Sequence, residues 1–219
     1  MSRGSSGTGT LAARLASMNE PRARRVGVMG GSFNPIHTGH LVTADEARHT
    51  FDLDEVVFVP AGHPWQKEDT DVAPAEDRYN MCIIATSPDP MFQVSRIEIE
   101  RPGPTYTLDT LRALKSERPD DDLFFITGAD AILQILSWKD PEAVLREAHF
   151  IAATRPGYDL DRLEKELPEG LEQSVTIMEI PALAISSTDV RLRAREGRPI
   201  RYLVPAGVAA YIEKNGLYR

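Results

Sequence analysis

The sequence predicts an α/β fold: a Rossmann-like, doubly wound parallel sheet with helices on both faces, in a single domain. Three observations carry this reading. Short apolar runs alternate with helix-like stretches along most of the chain. Those runs are continuous and bounded by turn residues, as buried strands are. The first of them, "RRVGVMGG" (residues 24–31), ends in a glycine turn that leads into a helical pattern.

The elements follow in order. After that first strand, "HLVTADEARHTFD" places Leu41, Ala44, Ala47 and Phe51 at helical spacing, with His40 near the helix start. "EVVFVP" (Glu55–Pro60) is a second buried strand. "AGHPWQKEDTDVAPAEDR" is rich in proline and charge and reads as a long surface loop. A helix over Ala75–Thr86 leads to the strand-like "MFQVSRIEIE". "TLDTLRALKSE" (Thr107–Glu117) is helical, and "DLFFITG" (Asp122–Gly128) is a further buried strand. Two short helices then precede "HFIAATRPG" and "SVTIMEIP", two more strands. The chain closes with "STDVRLRAREG" and "PAGVAAYIEKNG", helices stopped by Gly197 and Gly216. Repeated strand–helix–strand units imply right-handed crossovers between parallel strands, and ligands bind such sheets at the carboxyl ends of the strands. The domain is expected over residues 25–219. Residues 1–24 open with Gly, Ser and Thr and are expected to be a disordered tail, with Met18 an alternative start.

Composition narrows the function classes. Lys and Arg number 25 against 33 Asp and Glu, a formal net charge of −8, so an anionic substrate needs a local basic site. The same balance speaks against nucleic-acid binding. No apolar run reaches the roughly 18 residues that span a membrane, and the N-terminus has no secretory apolar region. The single cysteine, Cys82, allows neither an internal disulfide nor a cysteine-built metal site and fits a reducing cytoplasm.

Five stretches can carry chemistry. In "GGSFNPIHTGH" the loop glycines, Gly30 and Gly31, allow backbone N–H groups to approach an anion at a helix N-terminus. His37 and His40 there can donate to phosphate, act as a base, or sit inertly on a surface loop. A zinc site would need His49 or His63 as a third ligand, and that spacing matches no metal pattern. No Gly-Lys-Ser/Thr follows, so this is not a Walker loop. In "ISSTDVR", Ser186 to Thr188 cap a helix whose first turn holds Asp189, and Arg191 adds a cation for a second phosphate clamp. "GAD" places Asp130 to cap a helix, or to accept from a ribose or an adenine amino group; Trp138 downstream is core, or a stacking face for a flat heteroaromatic ring. "RPGPTYTLDT" turns into a helix, where Thr105, Tyr106 and Thr107 can offer N–H groups to a carboxylate. "AGHPWQK" is a solvated loop, or one in which Lys67 binds phosphate and Trp65 stacks.

Taken together, "GGSFNPIHTGH" and "ISSTDVR" resemble the paired signatures of the HxGH nucleotidyltransferase superfamily. With "PAGHPWQK", "RPGPTYTLDTL", "FFITGAD", "ATRPGY" and "YLVP", the chain from about residue 25 onward is similar to the bacterial nicotinate-nucleotide adenylyltransferases, and "HPWQK" and "PALAISSTD" to their actinobacterial branch. The resemblance implies adenylyl transfer from ATP to nicotinate mononucleotide, giving deamido-NAD and pyrophosphate, with Mg2+ carried on the ATP phosphates. It implies that Gly30, Gly31, Ser32, Phe33, His37 and His40 surround those phosphates. Ile185, Ser186, Ser187 and Arg191 would complete the ATP site, with Gly128 and Asp130 toward adenosine. Trp138 would stack on the pyridine, the Thr105–Tyr106 backbone would meet its carboxylate, and Lys67 and Arg155 would lie on the mononucleotide side. One departure is visible: Ala206 stands after "YLVP" where an acidic residue is expected.

A nucleotide phosphate has a second pKa near 6 and is already largely a dianion at neutral pH, so the attack needs no general base. Alignment and charge stabilisation are what the reaction requires. His40, with His37 beside it, is therefore expected at the α-phosphate and Arg191 at the β- and γ-phosphates, by direct in-line attack without a covalent intermediate. The alternatives are a phosphopantetheine or other small-phosphate adenylyltransferase of the same superfamily, and a non-catalytic nucleotide-binding regulatory module. A homo-oligomer is left open.

Overall fold

The structure, a computed structural model, describes residues 22–63, 72–132, 135, 138–155 and 174–219. Six strands form one sheet in which every pair is parallel: β1 (Arg25–Gly31), β2 (Glu55–Pro60), β3 (Phe92–Val94), β4 (Asp122–Gly128), β5 (His149–Thr154) and β6 (Val175–Glu179). Their spatial order is β3-β2-β1-β4-β5-β6. The chain therefore winds one way from β1 to β3 and the other way from β4 to β6, and the gap between β1 and β4 is the switch point. The helices among the described residues are α1 (Thr38–Thr50), α2 (Ala75–Thr86), α3 (Thr107–Glu117), α4 (Ala129–Ile132), α5 (Pro141–Glu147), α6 (Ser187–Arg195) and α7 (Ala206–Asn215).

Side-chain alternation along the strands explains the two-sided core. Val26, Val28, Val57, Val59, Leu123, Phe125, Phe150 and Ala152 pack on one face with Leu108, Leu111 and Leu114 of α3 and with Val144 and Leu145 of α5. Their neighbours Met29, Val56, Phe58, Ile126, Ile151 and Ala153 pack on the other with Ala44 and Ala47 of α1, Met81 and Cys82 of α2, and Val190, Val208 and Ile212 of α6 and α7. Both faces are covered, which is why the central strands read as continuous apolar runs.

Two expectations need correction. The strand-like "MFQVSRIEIE" pairs only over Phe92–Val94. Ser95 N–H still reaches Phe58 O, but Arg96 then turns the chain, its carbonyl accepting from Glu100 N–H (3.0 Å) and its guanidinium bridging Glu76 and Glu100. Asp130 is not a cap: α4 begins at Ala129 directly from β4, so Asp130 lies inside the first turn. Gly197 and Gly216 end their helices in the left-handed region, with φ of +68° and +63°. Ala206 is the first residue of α7, so the departure from an acidic residue leaves the first turn of that helix without a carboxylate.

Candidate active site

The carboxyl ends of β1 and β4 lie side by side at the switch point. From β1 the chain passes through Ser32 to Ile36 into α1, whose N-cap is His37 in extended conformation. Phe33 adopts φ +43°, unusual for a bulky residue, and its buried ring is held between Phe58 and His40, at 5.9 and 5.1 Å. The His37 N–H donates to His40 Nδ1 (3.1 Å), and the two imidazoles stack with centroids 3.7 Å apart. Gly39 makes room for this, because a Cβ there would lie 3.1 Å from the His37 ring.

That bond has an electrostatic consequence. A ring nitrogen that accepts carries no proton, so neutral His40 is protonated on Nε2 and offers it as a donor. Desolvation by burial, and then the neighbouring His37, hold the His40 pKa well below its ordinary value. Burial likewise lowers His37 to about 4. Both are neutral hydrogen-bond donors at neutral pH.

The loop between β1 and α1 is tied down from distant parts of the chain. Ser186 caps α6 by accepting from Asp189 N–H (3.1 Å), and the next residue, Ser187, donates its hydroxyl to Pro35 O (2.9 Å). Arg191 Nη1 donates to Asn34 O (2.9 Å), while Arg191 Nε is buried with no partner among the described residues. Buried Asn34 accepts at Oδ1 from Tyr218 OH (2.8 Å) and Ala73 N–H (3.0 Å). Thr38 N–H reaches Leu203 O (2.9 Å), so "YLVP" also abuts this loop.

Beneath it lies a residue that the motifs did not flag. Arg78 of α2 is 1% exposed and donates to three carbonyls, Ser32 (2.7 Å), Ala73 (2.9 Å) and Gly62 (3.2 Å). It joins the start of the loop after β1, the entry to α2 and the segment after β2. The available signal was its place on the apolar stripe of α2, one turn before Cys82.

Two cavities open at the switch point, and both are walled by Gly30 and Thr127. The larger, about 510 Å³, is lined by His37, His40, Gly128, Asp130, Arg155 and Ile185 among others. The smaller, about 210 Å³, is lined by Gly31, Ser32, Glu98, Thr105, Tyr106 and Trp138 among others. Partly buried Trp138 stands edge-on to Phe125 (6.2 Å, 80°). Lys139 sits over the Tyr106 ring at 4.7 Å and pairs with Asp109 at 3.0 Å.

The structure redistributes several expected residues. The Phe33 ring is core and lines neither cavity. Arg155, expected near the pyridine, lines the larger cavity with the histidines. Ser32 and Gly31 face the smaller cavity rather than the histidine one. Ser186, Ser187 and Arg191 line neither cavity; Ser187 and Arg191 brace the loop that carries the histidines, and Ser186 caps the helix they stand on. Thr105 commits both its N–H (3.4 Å) and its hydroxyl (3.2 Å) to His63 O, which leaves the opening N–H groups of α3 as the donors there. Lys67 lies outside the described residues. Among the described residues no three of His, Cys, Asp and Glu gather as a metal-binding group, and His49 and His63 do not join His37 and His40 in one.

Comparison with known proteins places the chain in a family. The cytidylyltransferase-like family model matches residues 28–193. A protein of Acidothermus cellulolyticus carrying the name "Probable nicotinate-nucleotide adenylyltransferase" is 57% identical over 204 residues, covering 90% of this chain and 96% of its own. A Streptomyces coelicolor protein of the same name is 58% identical, over 87% of this chain and 99% of its own. The fold is shared with a solved Plasmodium falciparum nicotinic acid mononucleotide adenylyltransferase complexed with NaAD, at TM-score 0.73 and 23% identity, over 89% of this chain and 97% of that one. With twin cavities at the switch point, stacked histidines at one and a tryptophan at the other, the chain belongs to the cytidylyltransferase-like family, among the nicotinate-nucleotide adenylyltransferases.

Proposed function

We infer that the protein transfers the adenylyl group of ATP to nicotinate mononucleotide, forming deamido-NAD and pyrophosphate. The observation that carries this reading is the shared wall of Gly30 and Thr127, which brings two separately lined cavities to one point. ATP occupies the larger cavity, with its adenosine toward Gly128 and Asp130. The mononucleotide occupies the smaller one, its ring against Trp138 and its carboxylate toward the first N–H groups of α3.

The acceptor phosphate attacks the α-phosphorus directly, the phosphorus–oxygen bond to pyrophosphate breaks, and no enzyme-bound intermediate forms. The protein's contribution is alignment and charge stabilisation. His40 donates from Nε2 to the α-phosphate as charge builds there, with His37 stacked behind it. Arg191 holds the loop that carries the histidines through Asn34 O, and its fixed positive charge favours the triphosphate from behind that loop. Mg2+ would be carried on the ATP phosphates and would supply neutralisation of their charge; Asp130, the single carboxylate on the described wall of the larger cavity, is the residue that would face it.

A coupled assay of pyrophosphate release with ATP and Mg2+ tests the assignment. Nicotinate mononucleotide is expected to have the highest kcat/KM, above nicotinamide mononucleotide and phosphopantetheine. Turnover of phosphopantetheine alone overturns the acceptor; nucleotide binding without turnover of any acceptor overturns the activity.

A further inference from the structure

The smaller cavity contains an acid that its proposed substrate does not call for. Glu98 is 8% exposed and is the only carboxyl among the described residues lining that cavity, where an anionic ring substituent is expected to bind. Its Oε1 accepts the Thr110 hydroxyl at 2.6 Å, shorter than that hydroxyl's reach to Tyr106 O at 3.2 Å, so the proton points to Glu98, while the hydroxyl oxygen accepts from Arg101 Nη1 at 3.3 Å. Its backbone is clamped as well: a Cβ on Gly62 would lie 2.2 Å from Glu98 O. The carboxyl is thus held in place on the cavity wall, one turn from the α3 N-terminus.

We propose that Glu98 is a specificity-determining residue that reads the substituent on the acceptor ring. Neutral, its O–H donates to a ring carboxylate; ionised, it repels that carboxylate and accepts from a carboxamide N–H instead. The assignment rests on the acceptor reading above. Burial pushes the Glu98 pKa up, against the Thr110 hydroxyl and the charges of Arg101 and Arg78, which favour the charged form. Arg78 faces it from α2, Arg101 from the turn before α3 and Thr110 from α3; Lys139, paired with Asp109, is the cation across the cavity. Neither histidine lines this cavity.

The test is the ratio of kcat/KM for nicotinate over nicotinamide mononucleotide, followed from about pH 5 to about pH 9. Both acceptors carry the same phosphate, so its titration near pH 6 cancels in the ratio. The ratio is expected to fall at least about tenfold as Glu98 ionises. In Glu98→Gln, which keeps the acceptor for Thr110, it should be flat. In Thr110→Val, which removes a donor to the charged form, the fall should move to higher pH. An unchanging ratio in the wild type, the same fall in Glu98→Gln, or an unmoved fall in Thr110→Val each overturns the proposal. Absence of turnover with either mononucleotide would instead reject the acceptor assignment itself.

Discussion

His37 and His40 are bound to each other before any substrate arrives: the backbone N–H of one meets Nδ1 of the other at 3.1 Å, and the rings stack at 3.7 Å. The bond fixes both the orientation and the tautomer of His40, so its Nε2 donor is preorganised for developing charge.

His40→Ala is therefore expected to lower kcat by about 10²–10³. Steady-state kinetics with saturating ATP check this. A raised KM with kcat intact would place His40 in ground-state binding only.

Stability should depend on the protonation of the same pair. His37 titrates near 4 in the folded protein and near 6.5 when unfolded. Between those values the unfolded chain binds more protons, so stability is complete above about pH 6.5 and declines as pH falls toward 4. Thermal unfolding should show a lower midpoint at acid pH, and His37→Gln should reduce that dependence. An equal pH dependence in the variant would remove His37 from this role.

Arg78→Met should cost about 3 kcal/mol, because three carbonyls from separate segments lose their common donor. Urea unfolding at unchanged m-value measures it. A loss under about 1 kcal/mol would mean that the segments do not depend on the guanidinium.

Trp138→Ala should raise KM for the mononucleotide about ten- to a hundredfold, the value of one lost stacking contact, and leave ATP affinity nearly unchanged. Trp138 lines only the smaller cavity. Equal losses for both substrates in a binding titration would contradict the division of the site.

Much of this arrangement is legible before any coordinates. Local apolar runs and glycine stops place the central strands and the closing helices, because a strand buried on both faces and a left-handed cap each leave a local mark. The two histidines and Trp138 are legible through their motifs. Glu98 and Arg78 are not, since a buried ion looks like a surface one until its partners are known, and those partners lie on different segments. Arg191 is legible as a cation but not in its bracing of Asn34, a contact across 157 positions. Asp130 reads locally as a cap but lies in the first turn, because β4 runs into α4 without an intervening cap.

Gly30 and Thr127 belong to both cavities, so the partition between them is only two residues wide. A molecule that fills both proposed sites at once is neither substrate alone but the dinucleotide they become. Deamido-NAD should accordingly act as a competitive inhibitor against both substrates, and a single bisubstrate compound draped across Gly30 would exploit the effective concentration that either half confers on the other.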